Sequence, residues 1–166
     1  MLFFIDYFAD CVIIVLLTKE VIDLKILVID GQGGNIGKQL VKMILSRFPD
    51  IDLVAIGTNS LATSSMLKAG AQRVATGENA VCVCAAKAEI IVGPLGIVMA
   101  DALLGEVTLK MAAAVCRSSA TRILIPIGKC DTFVAGTGDT ASSVLLEDAV
   151  NRIARIINGS AESGNL

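Results

Sequence analysis

From residue 25 onwards, short runs of apolar residues alternate with longer stretches in which apolar residues recur every three or four positions. The runs KILVID, DLVAIG, EIIVG and RILIPI are continuous and apolar, which is typical of strands buried on both faces of a sheet. A short strand is also expected at residues 73–75 and another at 132–135. The helical period predicts helices over six stretches: 35–48, 59–69, 79–87, 97–104, 109–117 and 140–158.

Strands and helices in this order predict an α/β fold: a doubly wound, Rossmann-like parallel sheet of about five strands in three α/β/α layers. Pro126 cannot donate a ladder hydrogen bond, so the strand that contains it should lie at an edge. Asp139 or Thr140 is expected to cap the last helix and Gly159 to end it. Sheets of this kind bind ligands beyond the carboxyl ends of their strands, where the strand order reverses.

The first 23 residues differ in composition from the rest of the chain, since they hold four of its six aromatic residues. Their apolar stretch is shorter than the roughly 20 residues of a membrane span and carries Asp6 and Asp10, so no stable span is predicted. We interpret residues 1–23 as an extra segment, with translation starting at Leu24. A membrane-associating helix is the alternative. Residues 24–158 then form a single domain and 159–166 a frayed tail.

The composition of the chain excludes several classes of function. The chain has 166 residues, 54% of them hydrophobic, and a net charge of −2, so nucleic acid is not an expected partner. It contains no histidine, which excludes histidine acid–base chemistry and histidine metal ligands, and no metal site is predicted. The five cysteines lack C-x-x-C spacing and are expected to be buried thiols of a reducing cytoplasm. The apolar composition is compatible with a homodimer.

The segment DGQGGNIGK joins the first strand to the first helix and is the strongest candidate for a binding site. Gly31 allows a sharp exit from the strand, and Gly33 and Gly34 let a ligand approach the backbone. Gly37 lets the helix pack on the sheet. Free N–H groups at the helix N-terminus suit a phosphate. The predicted phosphate-binding residues are Gly31, Gln32, Gly33, Gly34, Asn35, Ile36 and Gly37.

The spacing G-x-x-G-x-x-G resembles that of extended short-chain dehydrogenases and nucleotide-sugar epimerases, which implies NAD or NADP as a cofactor. The chain departs from this pattern because no acidic residue follows the second strand to hold a ribose. Thr58, Asn59 and Ser60 stand there instead and are expected to face the sugar. The lone tyrosine, Tyr7, lies outside the domain, so the dehydrogenase Tyr-x-x-x-Lys pair is missing. Asp30 would repel a phosphate. It is expected to cap loop amides, with a Mg²⁺-holding role as the alternative.

Other strand ends add candidates. Gly93, Pro94 and Gly96 follow the fourth strand and are expected to line the far wall of the site. Glu78 is either a general base or a first-turn acid favoured by the helix dipole, and the second role is preferred. Lys129 follows the fifth strand and could meet an anion.

The segments IDGQGGNIGKQL, GTNSLATSSMLKAGA, ATGENAV, IIVGPLGIVMADALLGE and ILIPIGKC together resemble a family of small bacterial proteins known as a domain of unknown function. The resemblance implies a bacterial, cytoplasmic protein of Rossmann-like fold and implies no catalytic residues. Three hypotheses remain. The first is a protein that binds a nucleotide or another small phosphorylated ligand. The second is a non-enzymatic sensor or oligomeric scaffold with a structural glycine loop. The third is a small enzyme that uses Asp30 or Glu78, with a metal.

Overall fold

Five parallel strands form one sheet in the order β3-β2-β1-β4-β5. The computed structural model describes residues 24–127, 132–138 and 140–163. The predictions for residues 1–23, Lys129 and Asp139 lie outside these ranges. The strands are β1 Lys25–Asp30, β2 Asp52–Gly57, β3 Arg73–Thr76, β4 Ile90–Pro94 and β5 Thr121–Ile125. The predicted doubly wound sheet is confirmed, and β5, which precedes Pro126, is an edge strand as expected.

Helices cover both faces of this sheet. They are α1 Asn35–Arg47, α2 Ser60–Lys68, α3 Glu78–Ala85, α4 Leu109–Arg117 and α5 Ser142–Ser163, and a 3₁₀ turn spans Leu95–Val98. One hydrophobic cluster joins α1, α2 and α5 to one face of the sheet. A second cluster joins α3 and α4 to the other face. The fold therefore has the three α/β/α layers that the alternating pattern predicts.

Side chains of β1 alternate between the two clusters. Ile26 and Val28 point to the first cluster, and Leu27 and Ile29 point to the second. None of the four is more than 1% exposed. Because helices cover both faces of β1, its interior positions are apolar on both sides, which explains the continuous run in the sequence.

The strand order reverses between β1 and β4, because the chain first builds β2 and β3 on one side of β1 and then β4 and β5 on the other. The register pairs Asp30 with Gly57, the last residues of β1 and β2. The Thr58 amide continues this ladder by donating to the Asp30 carbonyl at 2.9 Å. The loops that follow β1 and β2 therefore lie side by side at the carboxyl edge of the sheet.

The predicted helix at 97–104 is wrong. Beyond the 3₁₀ turn the backbone takes positive φ angles at Asp101 (63°), Leu103 (56°), Leu104 (62°) and Gly105 (85°). A right-handed helix cannot contain these angles, so residues 99–107 form a series of turns instead. Apolar residues in the stretch have helical spacing because some of them pack on the sheet, not because they share a helical face.

Two further expectations fail near the C-terminus. Residues 132–135 form no strand, and Phe133 is 98% exposed. The last helix begins at Ser142 and continues through Gly159 to Ser163. A glycine inside a helix costs about 1 kcal/mol relative to alanine, which weakens the helix without ending it. No proline follows Gly159 to stop the helix.

Candidate functional site

Asp30 closes the glycine-rich loop from the inside. It is the last residue of β1 and is only 4% exposed. Its carboxylate accepts hydrogen bonds from the amides of Gly31 at 2.8 Å and Gly37 at 2.6 Å. Gly34, which precedes α1, has no side chain to cap the helix, so Asp30 supplies that cap from the preceding strand. The predicted loop-capping role of Asp30 is confirmed.

Burial and hydrogen bonding have opposite effects on the pKa of Asp30. Burial raises the pKa of the Asp30 carboxyl group, and hydrogen bonds from the amides of Gly37, Gly31 and Ile36 oppose that rise. The negative charge of nearby Glu106 adds to it, and the net pKa is raised. The oxygens of Asp30 are committed to the loop that they hold.

Glu106 joins the loops after β1 and β2. Its Oε2 atom accepts hydrogen bonds from the Gln32 amide at 2.8 Å, the Thr58 hydroxyl at 2.5 Å and the Asn59 side-chain amide at 2.8 Å. Asn59 also donates to the Gln32 carbonyl at 3.0 Å. Among the described residues, none donates a hydrogen bond to the other oxygen, Oε1. One carboxylate thus gathers three donors and keeps one oxygen unused.

These donors also keep Glu106 ionised. Partial burial raises the pKa of its carboxyl group, but hydrogen bonds from Thr58, Gln32 and Asn59 together outweigh that effect and lower the pKa. The side chain therefore places a full negative charge at the carboxyl end of β2. Proteins that bind dinucleotides carry an acidic residue at this end of the second strand. Here the loop after β2 contains none, and the acid comes from 48 residues beyond Thr58.

The glycines of the loop have different surroundings. A Cβ atom on Gly31 would lie 2.6 Å from Leu103 Cδ1, and one on Gly37 would lie 2.5 Å from Met66 Sδ. Gly34 has a φ of +69°, and its Cβ would lie 2.6 Å from the Cα of Ala62 in α2. A Cβ on Gly33 would meet nothing within 4 Å. Close packing within the protein therefore requires Gly31, Gly34 and Gly37, whereas Gly33 is open.

Two amides at the start of α1 are open as well. Gly33 and Asn35 are exposed, and within the described ranges no group accepts a hydrogen bond from their N–H groups. The first turn of α1 holds no acidic residue, and Lys38, the next residue after that turn, is exposed. Ile36 follows the open Asn35 amide, and its side chain packs against the core. The partial positive charge of the helix end is therefore accessible.

Leu103 lies between the carboxyl ends of β1 and β4. Its Cδ1 atom packs over Gly31, and its Cδ2 atom would lie 3.6 Å from a Cβ on Gly96. Gly93 and Pro94 are buried at the end of β4, where a Cβ on Gly93 would collide with the Ile29 carbonyl oxygen. Leu103 therefore covers the point at which the strand order reverses.

The structure brings together some of the predicted site residues. Gln32, Thr58 and Asn59 meet at one carboxylate oxygen, and Ser60 is exposed at the first position of α2. The residues that sequence reasoning missed are Glu106 and Leu103. Their nearest sequence signal is Gly105, which interrupts the apolar stretch just before an acid.

Glu78 has the structural role preferred for it. It is the first residue of α3, and its Oε2 accepts a hydrogen bond from the Thr108 hydroxyl at 2.7 Å. Its Oε1 lies 3.4 Å from Lys110 Nζ. The hydrogen bond from Thr108, together with the hydrogen bond and positive charge of Lys110, lowers the pKa of Glu78. The side chain therefore joins the first turns of α3 and α4.

In the described part of the chain, no group of three or more histidine, cysteine, aspartate or glutamate side chains is placed to hold a metal ion. Within the same ranges, every helix is too short or too polar to cross a membrane.

Comparison with known proteins gives one family and one solved structure. The family model "Domain of unknown function (DUF3842)" matches residues 25–158. No curated protein has significant sequence similarity to the chain. The chain is similar in structure to a dodecameric FMN-dependent UbiX-like decarboxylase from Escherichia coli O157:H7, with 12% sequence identity and a TM-score of 0.41. The match covers 81% of this chain and 94% of the decarboxylase chain.

Proposed function

The chain belongs to the DUF3842 family, whose function is unknown, and we propose that it binds a nucleotide at the carboxyl ends of β1 and β2. The observation that carries the proposal is the position of Glu106. Its carboxylate lies beside the loop after β2 and is oriented by Gln32, Thr58 and Asn59. The three donors hold the ionised carboxylate of Glu106 in one orientation. Its other oxygen, Oε1, is then available to accept a hydrogen bond from a polar ligand.

The ribose is the part of the nucleotide assigned to Glu106. A ribose offers two hydroxyl donors, and the unused Oε1 of Glu106 is an acceptor for them. Thr58 and Asn59 then act through Glu106, because their donors fix the direction of its carboxylate. This differs from the direct contact with the sugar that the sequence predicts for these two residues.

The phosphate is assigned to the exposed amides of Gly33 and Asn35. Gly33 lies just before a helix of 13 residues, and Asn35 is its first residue. The N-terminus of such a helix carries about half a positive charge. Gly33 has no neighbour within 4 Å of a Cβ position, so a phosphate can approach its backbone. Exposed Lys38 adds a positive charge to the same helix end.

The charge of Glu106 also predicts which nucleotides bind. A ribose with a free 2′-hydroxyl donates to the carboxylate, whereas a 2′-phosphate would bring a second negative charge against it. We therefore expect the protein to bind adenine ribonucleotides, or other ribonucleotides, that lack a 2′-phosphate. It should reject 2′-phosphorylated nucleotides such as 2′,5′-ADP.

Thermal unfolding and calorimetry with ADP, AMP and 2′,5′-ADP test the proposal. ADP at 100 times its dissociation constant should stabilise the protein by about 2.7 kcal/mol. 2′,5′-ADP should bind at least about tenfold more weakly than AMP, from which it differs only by the 2′-phosphate, a difference of about 1.4 kcal/mol. Glu106→Gln should weaken ADP binding. The matched control is Glu78→Gln, because Glu78 also accepts a hydrogen bond from a threonine hydroxyl. This control variant should leave ADP binding unchanged. Equal ADP affinity for the two variants would refute the role of Glu106.

A structural glycine loop in a non-enzymatic protein is the second candidate. The observation that favours it is the filling of the loop by the chain's own side chains, with Asp30 on its inside and Leu103 over Gly31. In that case no nucleotide stabilises the protein, while Glu106→Gln still lowers its thermal stability.

A reducing intracellular location is part of the proposal. Cys82 and Cys84 are half-buried and Cys116 is exposed, so the expectation of buried thiols is wrong for these three. All three are free thiols, and free cysteines are typical of proteins kept in a reducing compartment. Cell fractionation tests this location directly.

A further inference from the structure

We propose that the site takes a single nucleotide, such as a nucleoside diphosphate, and excludes dinucleotides, because Leu103 fills the space that the second half of a dinucleotide must cross. This inference rests on the proposed function and specifies the class of ligand.

The position of Leu103 is defined by the two strand ends that it joins. Gly31 follows β1, and a Cβ there would lie 2.6 Å from Leu103 Cδ1. Gly96 follows β4, and a Cβ there would lie 3.6 Å from Leu103 Cδ2. The two methyl groups of one leucine thus lie against the ends of neighbouring strands, across the point where the strand order reverses.

A dinucleotide in a doubly wound sheet lies across this point, with one nucleotide on each side. The half beside β1 and β2 is open here, since Gly33 and Asn35 are exposed, their amides have no acceptor among the described residues, and Glu106 has an unused oxygen. The path to β4 is not open, because an apolar side chain stands on it. A ligand that ends at its second phosphate needs only the open half.

The segment that carries Leu103 is fixed on both sides of it. The Asp101 amide donates to the Val107 carbonyl at 2.8 Å, and the Val107 amide donates back to the Ala102 carbonyl at 3.2 Å. Val107 is 1% exposed and anchors the turn in the core. Glu106 is held by its three donors. Leu103 is therefore held over Gly31 from both directions along the chain.

The backbone of this turn supports the same inference. Leu103 and Leu104 both have φ angles near +60°, a conformation that branched side chains rarely adopt. Such angles persist where the surrounding contacts impose them, and they concentrate at binding sites and ligand clamps. Leu104 is 96% exposed, so of these two leucines only Leu103 points into the crevice.

Calorimetry with ADP, ADP-ribose and NAD on the full-length protein tests the inference. These probes share the adenosine diphosphate half and extend progressively past the second phosphate. We expect wild-type protein to bind ADP and to bind ADP-ribose and NAD at least about tenfold more weakly. Leu103→Ala should bring NAD to within about threefold of ADP. Leu104→Ala, the matched control, should keep the wild-type preference.

The outcomes separate this inference from the proposed function. Wild-type protein that binds ADP and NAD equally well overturns the exclusion of dinucleotides and leaves nucleotide binding in place. Wild-type protein that binds none of the three overturns both. If Leu103→Ala folds and still rejects NAD, the role of Leu103 is refuted. If that variant does not fold, Leu103→Gly, which accepts the positive φ of this position, and the three-probe series on wild-type protein decide the question.

Discussion

Asparagine at position 30 would keep the shape of the Asp30 side chain and change what it offers to the glycine loop. The two carboxylate oxygens each accept one buried amide, Oδ1 from Gly31 at 2.8 Å and Oδ2 from Gly37 at 2.6 Å. An asparagine has one oxygen and one NH₂ group. One loop amide would therefore lose its acceptor and face a second donor.

The expected cost follows from burial. An unsatisfied buried donor costs about 1–3 kcal/mol. The substitution also removes a carboxylate whose ionised form is disfavoured by burial, and this gain offsets part of the cost of the unsatisfied amide. We expect Asp30→Asn to lower the free energy of unfolding by about 1–3 kcal/mol in mildly acidic solution, and by less at higher pH.

The pH dependence has a definite sign. Because burial raises the pKa of Asp30 in the folded protein, protonation-linked stability is fully present below the ordinary aspartate pKa of about 3.9. It is lost as the pH rises through the raised pKa. The stability difference between wild type and Asp30→Asn should therefore decrease as the pH rises from about 4.

Urea denaturation followed by circular dichroism measures this difference at several pH values. The denaturation midpoint should fall while the m value stays constant. Asp101→Asn is the control, because Asp101 is an exposed aspartate and its replacement should change stability by less than about 0.5 kcal/mol. If Asp30→Asn matches this control, the description of Asp30 as a buried loop cap is refuted. If its effect grows with pH, the loop amides outweigh burial and the raised pKa of Asp30 is contradicted.

Three further predictions concern the glycine loop, the Glu106 carboxylate and the hydrophobic core. Gly31→Ala should cost about 1–3 kcal/mol, since its Cβ would lie 2.6 Å from a leucine methyl group, whereas Gly33→Ala should be nearly neutral because its Cβ meets nothing; chemical denaturation compares the two. Hydrogen bonds lower the pKa of Glu106, so the stability that wild type has over Glu106→Gln should be present above about pH 4.3 and disappear as the pH falls through the lowered pKa, as pH-dependent melting would show. Ile44→Ala should cost about 2–5 kcal/mol, because Ile44 is 0% exposed between helix and sheet; a loss below about 1 kcal/mol in urea would contradict its place in the core.

The sheet could be predicted from the sequence because its central strands, β1, β2 and β4, are short, largely apolar and covered on both faces. β1 and β2 match the predicted runs residue for residue, since the interior of a strand buried on two sides is continuously apolar. Helix α4, which is bounded by its Thr108 cap and Arg117, also has the predicted limits. Local chemistry decides such elements.

The site could be predicted only in part, because its key contacts are not local. The loop 30–37 and the residues after β2 are visible as candidates in the sequence, but Glu106 reaches Thr58 across 48 residues. Leu103 belongs to a stretch whose spacing predicts a helix. Tertiary contacts impose positive φ angles there instead, and residue types alone do not reveal them.

Backbone NMR of uniformly ¹⁵N-labelled protein titrated with ADP tests nucleotide binding at this site most directly. Saturable shifts should concentrate at the amides of Gln32, Gly33 and Asn35 and at Glu106, and residues of β5 at the opposite edge of the sheet should stay unchanged. Shifts that centre elsewhere, or no shifts at millimolar ADP, would contradict a nucleotide site built on Glu106.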